Sequence, residues 1–131
     1  MRILIVEDAD SIRHMIEALL TARGHAVVAV SNGVRGVDAA LAGPPDVILL
    51  DLHLPGALDG FGVCRKLREA PATHDVPIVV ISAMTDEGSK QRALEAGTTA
   101  YYTKPFSPTA LLKEIESIPE RLGRRPKVSG K

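Results

Sequence analysis

Cysteine is nearly absent: Cys64 is the single one in 131 residues, and a lone thiol cannot close an internal disulfide. The fold must therefore hold by packing, and a reducing, cytoplasmic compartment is the simpler expectation. Long apolar runs are also missing. The first ends at Glu7 after four residues, far short of the roughly 20 needed to cross a bilayer, so neither a membrane span nor a signal peptide is expected. Net charge is absent too, with 16 basic and 16 acidic residues, but the balance is uneven. Residues 1–118 carry 11 basic and 15 acidic side chains, whereas residues 119–131 carry 5 and 1. The body is acidic and the tail basic. Finally, the first turn reads Glu7-Asp8-Ala9-Asp10-Ser11, with no glycine-rich cradle and with charge that repels phosphate, which argues against a nucleotide or flavin module.

What is present is an apolar content of 45%, enough for one packed domain at this length. Short branched runs at residues 3–6, 25–30, 47–50, 78–81 and 100–103 read as strands. Helical patterns separate them. Ser11 is a candidate cap for a helix bearing Ile12, Met15, Ile16, Leu19 and Leu20, which Gly24 stops. Residues 33–41 form a small-residue helix carrying Val34, Val37 and Leu41, and residues 60–69 one with a buried stripe of Phe61, Cys64 and Leu67. Residues 86–96 make a weakly anchored fourth helix, with Gly88 inside it and only Ala93, Leu94 and Ala96 as an apolar face. The last helix starts at Ser107 and Pro108, buries Leu111, Leu112, Ile115 and Ile118, and is expected to end at Pro119. Five strand-helix repeats imply an α/β fold, a doubly wound five-stranded parallel sheet with helices on both faces.

Glu7, Asp8, Asp51, Ser82 and Lys104 each sit just past the end of one of these runs. In an open parallel sheet those ends share one crevice, the usual ligand position. Side-by-side Glu7 and Asp8 repel each other unless a cation intervenes, and with Asp51 they form an oxygen site suited to Mg²⁺. Lys104 offers a compact ammonium to Asp51 or to a phosphoryl oxygen, and Ser82 a hydroxyl donor. Each residue alone has a bland explanation as turn, cap or solvated surface. His14, His25 and His74 show no ligand spacing and read as surface or turn residues.

Four segments together resemble the receiver domains of two-component response regulators: Val6-Glu7-Asp8; Leu50 to Pro55 with Asp59-Gly60; Ile81-Ser82-Ala83; and Tyr101 to Phe106. The likeness runs from residue 2 to about 118. It implies a flavodoxin-like sheet of order 2-1-3-4-5 and a phosphoacceptor role for Asp51, charged by a histidine kinase or histidine phosphotransfer protein. It further implies that Asp8 binds Mg²⁺ directly, Glu7 through water, and His53 through its main-chain carbonyl. Lys104 and Ser82 would contact the phosphoryl group, and Ser82 with Tyr101 would form a switch. The face of helix 4, strand 5 and helix 5 would then engage a downstream protein. The bond between Lys104 and Pro105 is cis in such domains. One residue is extra: Gly56-Ala57-Leu58 separates Pro55 from Asp59, one more than the common spacing. His53 and Met84 occupy positions that tune phosphoryl lifetime in relatives.

A haloacid dehalogenase type phosphohydrolase also forms an aspartyl phosphate with Mg²⁺, but it resembles Asp-x-Asp, and here the second position is His53. A receiver-fold scaffold without phosphorylation is the other alternative. The expectation is thus a signalling phosphoacceptor and not a turnover enzyme, spanning residues 1–118, with 119–131 as a basic, disordered tail or linker. No membrane or nucleic-acid partner is expected for this chain alone, which would be a monomer or weak dimer.

Overall fold

The computed structural model describes residues 1–83 and 87–122, with the side chains of 119–122 left aside. Elements alternate throughout: β1 (Arg2–Val6), α1 (Asp10–Ala22), β2 (Ala26–Val30), α2 (Gly33–Ala42), β3 (Val47–Asp51), α3 (Gly60–Glu69), β4 (Ile78–Ser82), α4 (Glu87–Glu95), β5 (Ala100–Thr103) and α5 (Pro108–Leu122). The strands form one parallel sheet in the order β2-β1-β3-β4-β5, with Ile3 beside Val47 and Ile48 beside Ile78. Parallel strands covered on both faces must be apolar on both, and β3 and β4 are buried from end to end.

Alternation along the strands divides the core. Leu4, Val6, Ile48, Leu50, Ile78 and Val80 face α2, α3 and α4, with Ala40, Phe61, Cys64, Leu67 and Ala93 packed over them. Ile3, Ile5, Val47, Leu49, Val79 and Ile81 face α1 and α5 through Ile16, Leu20, Leu111, Ile115 and Ile118. The period of two in the strands thus meets the period of 3.6 in the helices.

Several boundaries depart from the sequence expectation. α1 begins at Asp10, and its cap position is Ala9, extended at φ −73°, ψ 114° and without a side-chain cap bond. Ser11 lies inside the helix because Glu7 Oε2 already accepts the Ala9 N–H at 3.0 Å and turns the chain two residues earlier. Met15, Val34, Leu41 and Leu94 are exposed. α2 approaches the sheet on small residues instead, and a Cβ on Gly36 would lie 2.8 Å from Val6. α5 is capped by Ser107, whose Oγ accepts the Ala110 N–H at 3.2 Å. It does not end at Pro119 but continues to Leu122, since a proline forfeits one backbone hydrogen bond and the turns before it are fixed by buried Ile115 and Ile118. Met84, Asp86 and residues 123–131 lie outside the described residues.

His25 is not a simple surface residue. Its Nε2 stands 3.0 Å from Glu116 Oε2, and Arg23 grips the same carboxylate at 2.9 and 2.6 Å, tying α1 to α5. Arg23 first, then His25, holds the Glu116 carboxyl down at about 2, against an ordinary 4.5. A depressed acid favours the folded state above its unfolded value, and that contribution fades as pH falls from about 4.5 towards 2. The urea midpoints of wild type and Glu116→Gln are therefore expected to differ at neutral pH and converge near the bottom of that window. A pH-independent difference would assign Glu116 a packing role only. His14 and His74 are exposed.

Candidate functional site

The C-terminal ends of β1, β3, β4 and β5 converge at one crevice. β1 ends where the Glu7 N–H makes its last ladder bond, to Val30 O at 3.1 Å. Beyond it Glu7 is fully buried while Asp8 is exposed. Asp51 closes β3 at 2% exposure, and Ser82 closes β4, fully buried. The Lys104 N–H donates to Ser82 O at 2.7 Å, which anchors the end of β5 to β4. The Lys104–Pro105 peptide is cis, as the resemblance implied.

Lys104 Nζ lies 2.9 Å from Glu7 Oε1 and 3.2 Å from Asp51 Oδ2. The Asp51 contact is a hydrogen bond. The Glu7 contact is an ion pair outside hydrogen-bond geometry, so the buried Glu7 Oε1 accepts no hydrogen bond. The other carboxylate oxygens are held by backbone: Asp51 Oδ1 accepts from His53 N at 3.0 Å, and Glu7 Oε2 from Ala9 N at 3.0 Å. One ligand oxygen each from Glu7, Asp8 and Asp51 lies within 4.8 Å of the others. Three hard oxygen donors, one of them buried without a hydrogen bond, fit a divalent cation.

Burial pushes the Glu7 carboxyl up, and the nearby Asp51 charge adds to this against the lowering by Lys104 and the Ala9 N–H. Burial also works against the Lys104 ammonium, but Glu7 and Asp51 together outweigh it and its pKa is raised. The ammonium thus stays charged inside an acidic pocket.

Of the expected residues, Glu7, Asp8, Asp51 and Lys104 stand together, and Ser82 ends the neighbouring strand. The His53 side chain is exposed, and its N–H rather than its ring meets Asp51. Tyr101 lies half-buried on β5, packed against the core cluster that includes Ala93.

The sequence reading overlooked three supports. Asp59 caps α3, its Oδ1 accepting the Gly62 N–H at 2.9 Å; an Asp before a helical run was the available signal. Gly60 lets α3 approach β3, since a Cβ there would lie 2.5 Å from Asp51 O and 2.4 Å from Leu52 Cα. Arg13 folds back from α1 onto the loop of Glu7 and Asp8, and nothing in its spacing from Asp8 marks it.

Residues 3–116 match the family described as Response regulator receiver domain. The chain belongs to this family. It is 38% identical over 117 residues to "Response regulator PleD" of Caulobacter vibrioides, an alignment covering 89% of this chain and 26% of PleD. With "Transcriptional regulatory protein CseB" of Streptomyces avermitilis it shares 39% over 121 residues, 92% of this chain and 50% of CseB. The receiver domain thus spans between a quarter and a half of these relatives. A solved neighbour is the receiver domain of sensor histidine kinase PA1611 from Pseudomonas aeruginosa PAO1, described with a magnesium ion coordinated in its active site cleft. It aligns with TM-score 0.80 and 35% identity over 89% of this chain and 94% of that one. Sheet order, cis bond and acidic cluster agree with the membership. Among the described residues no helix is long and apolar enough to cross a membrane.

Proposed function

We propose that this receiver domain accepts a phosphoryl group on Asp51 in the presence of Mg²⁺ and uses it to alter the face formed by α4, β5 and α5. The observation that carries the reading is the Lys104 ammonium placed between buried Glu7 and Asp51. Asp8 would bind Mg²⁺ directly, Glu7 through water, and the His53 carbonyl would complete the protein's share. The ion would supply positive charge opposite the phosphoryl oxygens. Asp51 attacks phosphorus as an anion while the P–N bond of a donor phosphohistidine breaks, and the departing imidazole keeps the electron pair and takes a proton. Lys104 opposes charge on the transferring oxygens, so electrostatics and positioning carry the step.

The donor would be a histidine kinase or phosphotransfer protein in the cytoplasm, a setting that suits the free Cys64 thiol. The receiver unit would run through α5 to Leu122, with the basic residues up to 131 as a tail. The basal test is intact mass after acetyl phosphate with and without Mg²⁺. One phosphoryl group should be gained with the ion and removed by chelation; a wild type unmodified in Mg²⁺ overturns the reading.

Ser82 and Tyr101 would relay the change, with Ser82 drawn to the phosphoryl oxygens and Tyr101 turning inward. The construction of α4 supports its mobility. Ala93 is its one buried residue, and polar contacts from α3 and its end hold the rest. Cys64 Sγ donates to Ala96 O at 3.0 Å, Arg68 Nε to Gly97 O at 2.9 Å, and the Arg92 guanidinium lies 4.0 Å over the Phe61 ring. Such a thinly packed element opens at low cost. Burial pushes the Cys64 thiol up, so it is inert while α4 is seated. Beryllofluoride with Mg²⁺ is expected to speed modification of this single thiol about 5- to 150-fold, the range of ordinary allosteric coupling. An unchanged rate removes α4 from the switch.

A further inference from the structure

We infer that Arg13 is a positioning residue for the metal-binding pair, acting through the backbone of Glu7 and Asp8; the inference rests on the receiver reading above. Arg13 reaches back from α1, with its side chain only 14% exposed. Its Nη1 donates to Glu7 O at 2.9 Å and to Asp8 O at 3.3 Å, and its Nη2 pairs with Asp10 Oδ1 at 2.5 Å.

These two carbonyls belong to the peptide planes on either side of the Asp8 Cα. A peptide unit is planar, so fixing both carbonyl directions fixes φ and ψ of Asp8 and with them its Cα–Cβ direction. Asp8 needs such support. It lies beyond the last ladder bond of β1, before the first turn of α1, and its carboxylate is exposed rather than packed. Glu7 is held by different means, through burial and the Ala9 N–H. The guanidinium orients the more exposed ligand by gripping the chain around it.

The charge on Arg13 would by itself oppose a cation nearby. Asp10 offsets it, since the Arg13–Asp10 pair is neutral in sum. The pair gives the loop its geometry without adding net positive charge to a site where Lys104 already stands against three carboxylates. Arginine rather than lysine suits this task, because one fork can address two carbonyls and a carboxylate at once.

The test is Mg²⁺ binding by the whole chain, followed calorimetrically with Mg²⁺ alone as ligand, for wild type, Arg13→Gln, Arg13→Lys and Asp10→Asn. Loss of outer support commonly weakens a metal site about 10- to 100-fold. Arg13→Gln is expected to fall in that range and Arg13→Lys between it and wild type. Asp10→Asn should weaken binding less, because it uncovers a positive charge while the carbonyl bonds persist. In acetyl phosphate labelling, the Mg²⁺ concentration at half-maximal rate should rise for Arg13→Gln, with the rate recovering towards wild type at saturating Mg²⁺. A purely structural role would lower the urea midpoint without moving that concentration. Wild-type binding together with unchanged affinity in both Arg13 variants overturns this proposal alone; no Mg²⁺ binding by wild type overturns the receiver reading and this proposal with it.

Discussion

Asp51→Asn is expected to take up no phosphoryl group from acetyl phosphate under conditions that fully modify the wild type. The substitution preserves shape and volume at the end of β3, and its amide oxygen can still accept either the His53 N–H or the Lys104 ammonium, the two donors that Asp51 holds now. It cannot accept both, since the amide nitrogen offers a donor to whichever remains. That loss is partly offset because Asp51 contributes to pushing the Glu7 carboxyl up, and removing its charge relieves this strain. Lys104 retains its partner at Glu7. The fold should therefore survive while the anionic nucleophile is gone. Circular dichroism and a urea midpoint near that of wild type would establish folding, and intact mass would establish the chemistry. Equal labelling of the variant would move the acceptor to another side chain and remove Asp51 from that role.

Much of the fold was legible because β3 and β4 are branched runs buried on both faces, and no competing pattern fits four or five such residues between glycine and proline turns. The site was legible for a related reason. A carboxylate that closes a fully buried apolar run, as Asp51 does, sits at the C-terminal end of its strand, so the run ends alone align the five chemical residues. The misreadings share a physical cause: they concern contacts made only once the chain is folded, which residue type and spacing do not specify. Ser11 was a sound cap by type, but Glu7 captures the Ala9 N–H and starts α1 early. Val34 and Leu41 sit at helical spacing, yet α2 approaches the sheet on Gly36 and Ala40, where close contact with Val6 outweighs a larger apolar side chain. His25 gained partners only because α5 brings Glu116 beside it.

The same limit explains α4. Its sequence advertises a poor apolar face, which is correct, but the contacts that seat it come from Phe61, Cys64 and Arg68 on α3. The same helix begins at Gly60, whose N–H donates to Leu52 O at 3.1 Å and where a Cβ would lie 2.5 Å from Asp51 O. One helix therefore contacts both β3 and α4, and under the proposed switch it would offer a second physical route beside Ser82 and Tyr101. Its contiguity is structural, and the thiol experiment on Cys64 measures whether energy passes along it.

Lys104→Met is expected to destabilise the metal-free protein by about 3 kcal/mol at neutral pH, the lower end for removing one partner of a buried ion pair. The lower end applies because the Lys104 side chain retains 18% exposure and because Glu7 has an escape. With its cation gone, the Glu7 carboxyl loses its chief lowering influence and, already raised by burial, rises further. A folded-state acid with a raised pKa binds protons that the unfolded chain has released, so stability is full below the ordinary 4.5 and declines as pH climbs through the raised value. The deficit of Lys104→Met relative to wild type should consequently be smallest at or below 4.5 and grow as pH rises above it. Mg²⁺ should reduce it, since a divalent cation held by the folded state alone stabilises in proportion to the logarithm of its concentration over Kd. Urea unfolding at several pH values, with and without Mg²⁺, measures both effects. A deficit unchanged by pH and by Mg²⁺ would mean that Lys104 contributes its methylene packing rather than its charge, and the electrostatic account of the pocket would fail with it.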